Sequence, residues 1–193
     1  LLHQVQSLYL RKMVVGESRD HLAAQLCRRK QKHGYPIPTI IQRTPTDERI
    51  RQALQYRSLP HASHVLTRIY ESTDPTGLGD RSDLQIEHIF PQNPTRSWSP
   101  DGTRVWSNFS EADRAKYREI LSTIGNLTLL EQPLNIRAAN KPFPKKTQYY
   151  LGSAIPANLK LAKLPSWDLA SISDRTENLT KCFLDIWQRP MVE

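Results

Sequence analysis

Glu87 and His88 stand side by side, and Asn126, Asn135 and Asn140 follow them further along the chain. A histidine, which titrates near neutrality, suits a general base that deprotonates water. Carboxylate and amide oxygens suit a hard divalent cation such as Mg²⁺. These are the parts that hydrolysis of a phosphodiester requires: a base, a cation to neutralise charge gathering on the phosphate, and groups that hold the geometry. The spacing adds a constraint. Neighbouring residues on a strand point to opposite faces, so Glu87 and His88 converge only where the chain twists or bulges, and Pro91 puts a strand end close by.

The elements that must position these residues are legible in outline. Leu84, Ile86, Ile89 and Phe90 flank Glu87-His88 and predict a short strand ending at Pro91. A loop over 93–109, rich in Pro, Ser and Trp, leads to a helix opened by Ser110 and running to about Leu121. Ile124 to Leu130 reads as a second strand, and Pro133 is placed to start a helix reaching about Ala139. Asn140-Lys141-Pro142 breaks that helix; Asn140 is open to two readings, a helix C-cap or a contact residue. Pro144 starts a further helix through Tyr150. The tail carries one long helix with Ile172, Leu179, Phe183 and Ile186-Trp187 on one face. Upstream, apolar spacing predicts helices over 1–15, from Ser18 through Cys27, after Thr46-Asp47, and over 63–71. The turn-forming run Asp74 to Asp80 marks a boundary.

Composition bounds the function. The chain has 193 residues, 38% hydrophobic and 24% charged, within the globular range. No run approaches the roughly 18 apolar residues of a membrane span. The net charge of +8 favours polyanionic partners, nucleic acid above all, and the densest cationic run is Arg28 to His33. Cys27 and Cys182 are far apart, which argues against a disulfide scaffold and a four-cysteine zinc site. His61 and His64 have metal-ligand spacing but lack a neighbouring Cys or carboxylate, so they read as ordinary surface or core histidines. The chain opens inside an amphipathic pattern, as expected of a fragment from the C-terminal part of a longer protein.

The run Glu87-His88-Ile89-Phe90-Pro91-Gln92 resembles the Asp/Glu-His-Ile-x-Pro motif of HNH nucleases, which have a ββα-metal fold. Gly125-Asn126-Leu127 resembles the segment carrying that family's central Asn, and Asn135 falls where its final His or Asn ligand stands. More narrowly, Ile124 to Leu130 with Asn135, Asn140 to Phe143 and Lys146 is similar to the C-terminal nuclease domain of GmrSD-type modification-dependent restriction systems and of related phosphorothioate-sensing phage-defence proteins. The chain departs from the commoner pattern in having Glu rather than Asp at the acidic position. Its inter-strand loop is also long, about thirty residues, and fits a DNA-contacting insertion.

The resemblance implies an α+β, mainly helical fold: a small ββα-metal core of hairpin plus helix, surrounded by helices. The expected division is an N-terminal helical part over 1–80, a nuclease core over 81–150 and a C-terminal helical part over 151–193. It implies a metal-dependent DNA endonuclease, nicking or cutting in bacterial anti-phage defence. His88 is then the catalytic base, Asn126 a second catalytic-centre residue that holds the hairpin and orients His88, and Glu87 and Asn135 ligands for Mg²⁺ or Mn²⁺. Expected partners are double-stranded DNA, met by Arg96, Arg104, Asn140, Lys141, Lys145 and Lys146, and an N-terminal NTPase and DNA-sensing domain. The expected location is the bacterial cytoplasm, with no membrane partner. The alternative is a catalytically silent nucleic-acid-binding or docking domain derived from such a nuclease.

Overall fold

The computed structural model describes residues 2–20, 22, 24, 37–74, 78 and 82–190. Most of the helix predicted after Ser18, the cationic run Arg28 to His33, Cys27 and most of the turn after Asp74 lie outside the described residues.

Helix α1 spans Leu2–Val14, α2 Ile37–Arg43, α3 Asp47–Tyr56 and α4 Ala62–Thr73. Thr46 caps α3 as its sequence predicts, its side chain accepting from Arg49 N. Strand β1 is Leu84–His88 and β2 is Leu127–Glu131; they pair antiparallel, with Glu87 opposite Thr128 and His88 opposite Leu127. Between them lie a 3₁₀ turn at Trp106–Asn108 and α5, Glu111–Glu119, capped by Ser110. Helix α6, Gln132–Ala138, leaves β2 directly, with Pro133 in its first turn. Helices α7 (Phe143–Leu151), α8 (Pro156–Leu161) and α9 (Leu169–Ile186) complete the described chain.

Two apolar cores flank the strands. One gathers α1, α3, α4 and the end of α9 around Ile124, Leu127 and Leu129, with Leu84 and Ile86 of β1 packed against it. The other gathers Ile89, Phe90, Trp98, Trp106, Phe109, Tyr117, Leu130, Phe143, Tyr150 and Trp167. The latter gives the long connection between the strands a core of its own. Phe90, Trp98, Trp106 and Tyr117 meet with ring centroids 4.8–5.9 Å apart, Trp98 edge-on to Phe90 and to Trp106.

The second strand begins at Leu127, not at Ile124. Residues Ile124–Asn126 form a 3₁₀ turn instead. The cause is Arg175 on α9, whose Nη1 donates to the carbonyls of Gly125 and Leu127, both at 2.7 Å, and to that of Ile124 at 3.3 Å. The Ile124 and Gly125 carbonyls, drawn to the same guanidinium as that of Leu127, hold the segment before β2 in a turn. The turn is also pressed against α9 at Gly125, where a Cβ would lie 2.4 Å from the Ile172 carbonyl oxygen.

Candidate active site

Strand β1 aims Glu87 away from the core that receives Ile86, toward α7. The carboxylate is 4% exposed, and its Oε1 accepts from Lys146 Nζ at 2.6 Å and from Tyr150 OH at 3.0 Å. Lys146 Nζ also donates to the His88 carbonyl at 2.7 Å. Lys146 and Tyr150 are one helical turn apart on α7, so both reach the same oxygen from one face. Burial pushes the Glu87 carboxyl up and the Lys146 ammonium down, so each depends on the other for its charge.

His88 ends β1 and is half-buried. Burial, and then the Lys146 charge, lower its pKa below the ordinary histidine value. The imidazole is therefore held neutral, the form a base needs. The Gln92 amide nitrogen lies 3.5 Å from His88 Nε2.

Asn126 is fully enclosed, and both ends of its amide are bonded. Oδ1 accepts from Phe90 N at 2.7 Å and Trp167 Nε1 at 3.1 Å; Nδ2 donates to the carbonyls of Phe90 at 2.9 Å and Leu121 at 2.8 Å. Its own carbonyl accepts from Ile89 N at 3.0 Å. A side chain so committed has no surface to offer a substrate. It staples the segment after His88 to the turn before β2.

Asn135, half-buried on α6, donates through Nδ2 to the Ile86 carbonyl at 3.3 Å and to Gln85 Oε1 at 3.4 Å. Its Oδ1 accepts from none of the described residues. Among the described residues no three His, Cys, Asp or Glu side chains form a metal cage. What is available is Glu87 Oε2, the carboxylate oxygen not bonded to Lys146 or Tyr150, and Asn135 Oδ1. Both are hard oxygens, and two such donors suffice for Mg²⁺, which keeps several waters and takes further ligands from a phosphate. The donor chemistry fits a hard divalent ion held by few protein ligands.

The cations expected to meet DNA divide. Lys146 is a correction: it is fully buried against Glu87 and the His88 carbonyl and cannot reach a phosphate. Arg104 is half-exposed, pairs with Asp113 at 3.1 Å and lies over the Phe109 ring, which braces the insertion. Lys141 donates to the Arg137 carbonyl and sits 5.4 Å from the Tyr149 ring centroid. Arg96, Asn140 and Lys145 are exposed. His61 and His64 are exposed at the start of α4, away from any ligand set among the described residues.

Tyr150, Trp167 and Arg175 are the supporting residues that sequence patterns did not single out for these roles. For α7 a signal exists. Phe143, Lys146 and Tyr150 recur at the three- and four-residue steps of one buried helix face, so a lysine on that stripe needs an internal acid.

Residues 40–182 match the family of GmrSD restriction endonucleases, C-terminal domain, and the chain belongs to that family. No individual curated protein matches it.

Proposed function

We propose that this restriction endonuclease domain hydrolyses DNA phosphodiesters through an HNH-type centre on β1, β2 and α6, in defence against foreign DNA. The observation that supports the reading is a half-buried His88, its pKa lowered by burial, directly after a buried carboxylate on β1, the strand to which Asn135 of α6 is hydrogen-bonded. His88 takes the proton from the attacking water. Glu87 Oε2 and Asn135 Oδ1 would hold Mg²⁺ or Mn²⁺. Such an ion, when bound, supplies positive charge to the phosphate and to the departing 3′ oxygen. Asn126 fixes the Ile89–Phe90 backbone and thereby the direction in which His88 leaves the strand. Arg96, Asn140, Lys141 and Lys145 would meet the phosphate backbone of double-stranded DNA. A site on the cytoplasmic side of a bacterial cell and an N-terminal sensing domain complete the reading. Among the described residues no helix is long and apolar enough to cross a membrane.

The test is supercoiled plasmid incubated with Mg²⁺, Mn²⁺ or EDTA, using wild type and His88→Ala. Nicked or linear product is expected from wild type with metal, and intact plasmid with EDTA or with the variant. Undiminished turnover by a folded His88→Ala protein would overturn the assignment. Salt-sensitive DNA binding with no cleavage under either metal would favour the silent binding module instead.

A further inference from the structure

Lys146 and Tyr150 share one carboxylate oxygen, but they are not equivalent. Tyr150 OH bonds Glu87 alone, whereas Lys146 Nζ bonds Glu87 at 2.6 Å and the His88 carbonyl at 2.7 Å. Both side chains are fully buried, and the lysine's charge is shut off from bulk solvent. A buried ion pair often contributes no more to stability than well-packed apolar residues of similar volume. Stability alone therefore gives no reason for a charge beneath the strand end that carries His88.

We infer that Lys146 and Tyr150 are positioning residues with a division of labour: Tyr150 orients Glu87, while Lys146 locks Glu87 and His88 into one rigid unit. The inference rests on the proposed metal-dependent reading and deepens it. With Oε1 held by two donors, Oε2 is the oxygen that neither Lys146 nor Tyr150 engages, and the carboxylate is fixed in one orientation. The ammonium bridge then ties the carboxylate to the backbone of the base, coupling two groups that the strand's pleat would otherwise leave independent.

The test measures Mn²⁺ affinity by electron paramagnetic resonance, and plasmid cleavage against Mn²⁺ concentration, for wild type, Tyr150→Phe and Lys146→Met. Loss of a residue that orients a metal ligand weakens affinity on the order of 10- to 100-fold. Both variants are expected to bind Mn²⁺ that much more weakly. At saturating Mn²⁺ the kcat of Tyr150→Phe returns to the wild-type value, whereas that of Lys146→Met stays at least tenfold low, with the KM for DNA unchanged in both. Unchanged Mn²⁺ affinity in Tyr150→Phe, which keeps the ion pair and the fold, overturns the inference. Full recovery of Lys146→Met at saturating metal overturns the coupling to His88. Wild-type protein that neither binds Mn²⁺ nor cleaves would instead remove the underlying functional reading.

Discussion

Asn126→Asp is the sharpest probe of how the site is held, because it changes one atom type and almost no volume. In the native fold, Asn126 Nδ2 donates to the Phe90 and Leu121 carbonyls while Oδ1 accepts from Phe90 N and Trp167 Nε1, all four within 3.1 Å. Aspartate keeps the acceptor and loses the donors. As a neutral acid it supplies one O–H for two buried carbonyls; as an anion it supplies none and must be buried charged. Orphaning a buried acceptor costs about 1–3 kcal/mol, and more where a charge is left buried. The expected loss is about 3–4 kcal/mol, which for a chain of this size lowers the Tm by on the order of 10 °C. Trp167→Phe is the internal standard. It removes one donor and some buried volume but leaves Oδ1 bonded to Phe90, so about 2 kcal/mol and roughly 6 °C are expected. Thermal unfolding followed by circular dichroism measures both, with plasmid cleavage assayed well below the melting range. An Asn126→Asp protein melting within 2 °C of wild type would refute the four-bond clamp and the account of the site built on it.

Other consequences are as direct. Gly125→Ala forces a Cβ to within 2.0 Å of Thr176 Oγ1 and 2.4 Å of the Ile172 carbonyl oxygen, so a loss of about 3 kcal/mol or more is expected in denaturant titrations. Adding Thr176→Ala should recover only part of that, because the backbone contact remains; full recovery would show that α9 gives way easily. For His88, whose pKa is lowered below 6.5, the acid limb of kcat/KM against pH should have its midpoint below pH 6.5. The linkage has a definite sign: the unfolded imidazole takes its proton first, so His88 contributes stability above pH 6.5 that is lost as pH falls toward the folded value. An acid limb centred at or above 6.5 would refute the neutral-base assignment. Arg11→Met removes the fully buried guanidinium that donates to the Pro45 carbonyl at 2.9 Å and the Trp187 carbonyl at 2.8 Å and pairs with Asp47. About 3 kcal/mol of destabilisation is expected in the same titrations, from two orphaned carbonyls, and a change below 1 kcal/mol would refute the joint.

Local chemistry made the site's skeleton readable. Thr46, Ser110 and Pro133 mark element starts through backbone constraints that act over a few residues, and each stands where its chemistry predicts, whereas β1 ends at His88, three residues before Pro91. Ala139, at φ 43°, is the C-cap of α6, so the cap for which Asn140 is one candidate falls one residue earlier. What the sequence could not disclose depends on distant partners. Ile124 to Asn126 has the composition of a strand, but Arg175, some fifty residues on, curls it. Lys146 looks like one member of a surface cluster beside Lys141 and Lys145 until β1 places a buried carboxylate in front of it. Helix α8 escaped notice because its six residues carry too little periodicity to register.

The staple between Asn126 and Phe90 closes a loop of 36 residues, and that loop contains the aromatic cluster of Trp98, Trp106, Phe109 and Tyr117. Pairing β1 with β2 is therefore a long-range event, whose entropic cost must be met before the strands reward it. A preassembled aromatic cluster shortens that search by holding the loop's ends near one another. His88 is then expected to reach its final setting late, after the inserted segment has condensed. Two tryptophans within that segment make the sequence observable, since their fluorescence should settle before hydrolytic competence appears during refolding.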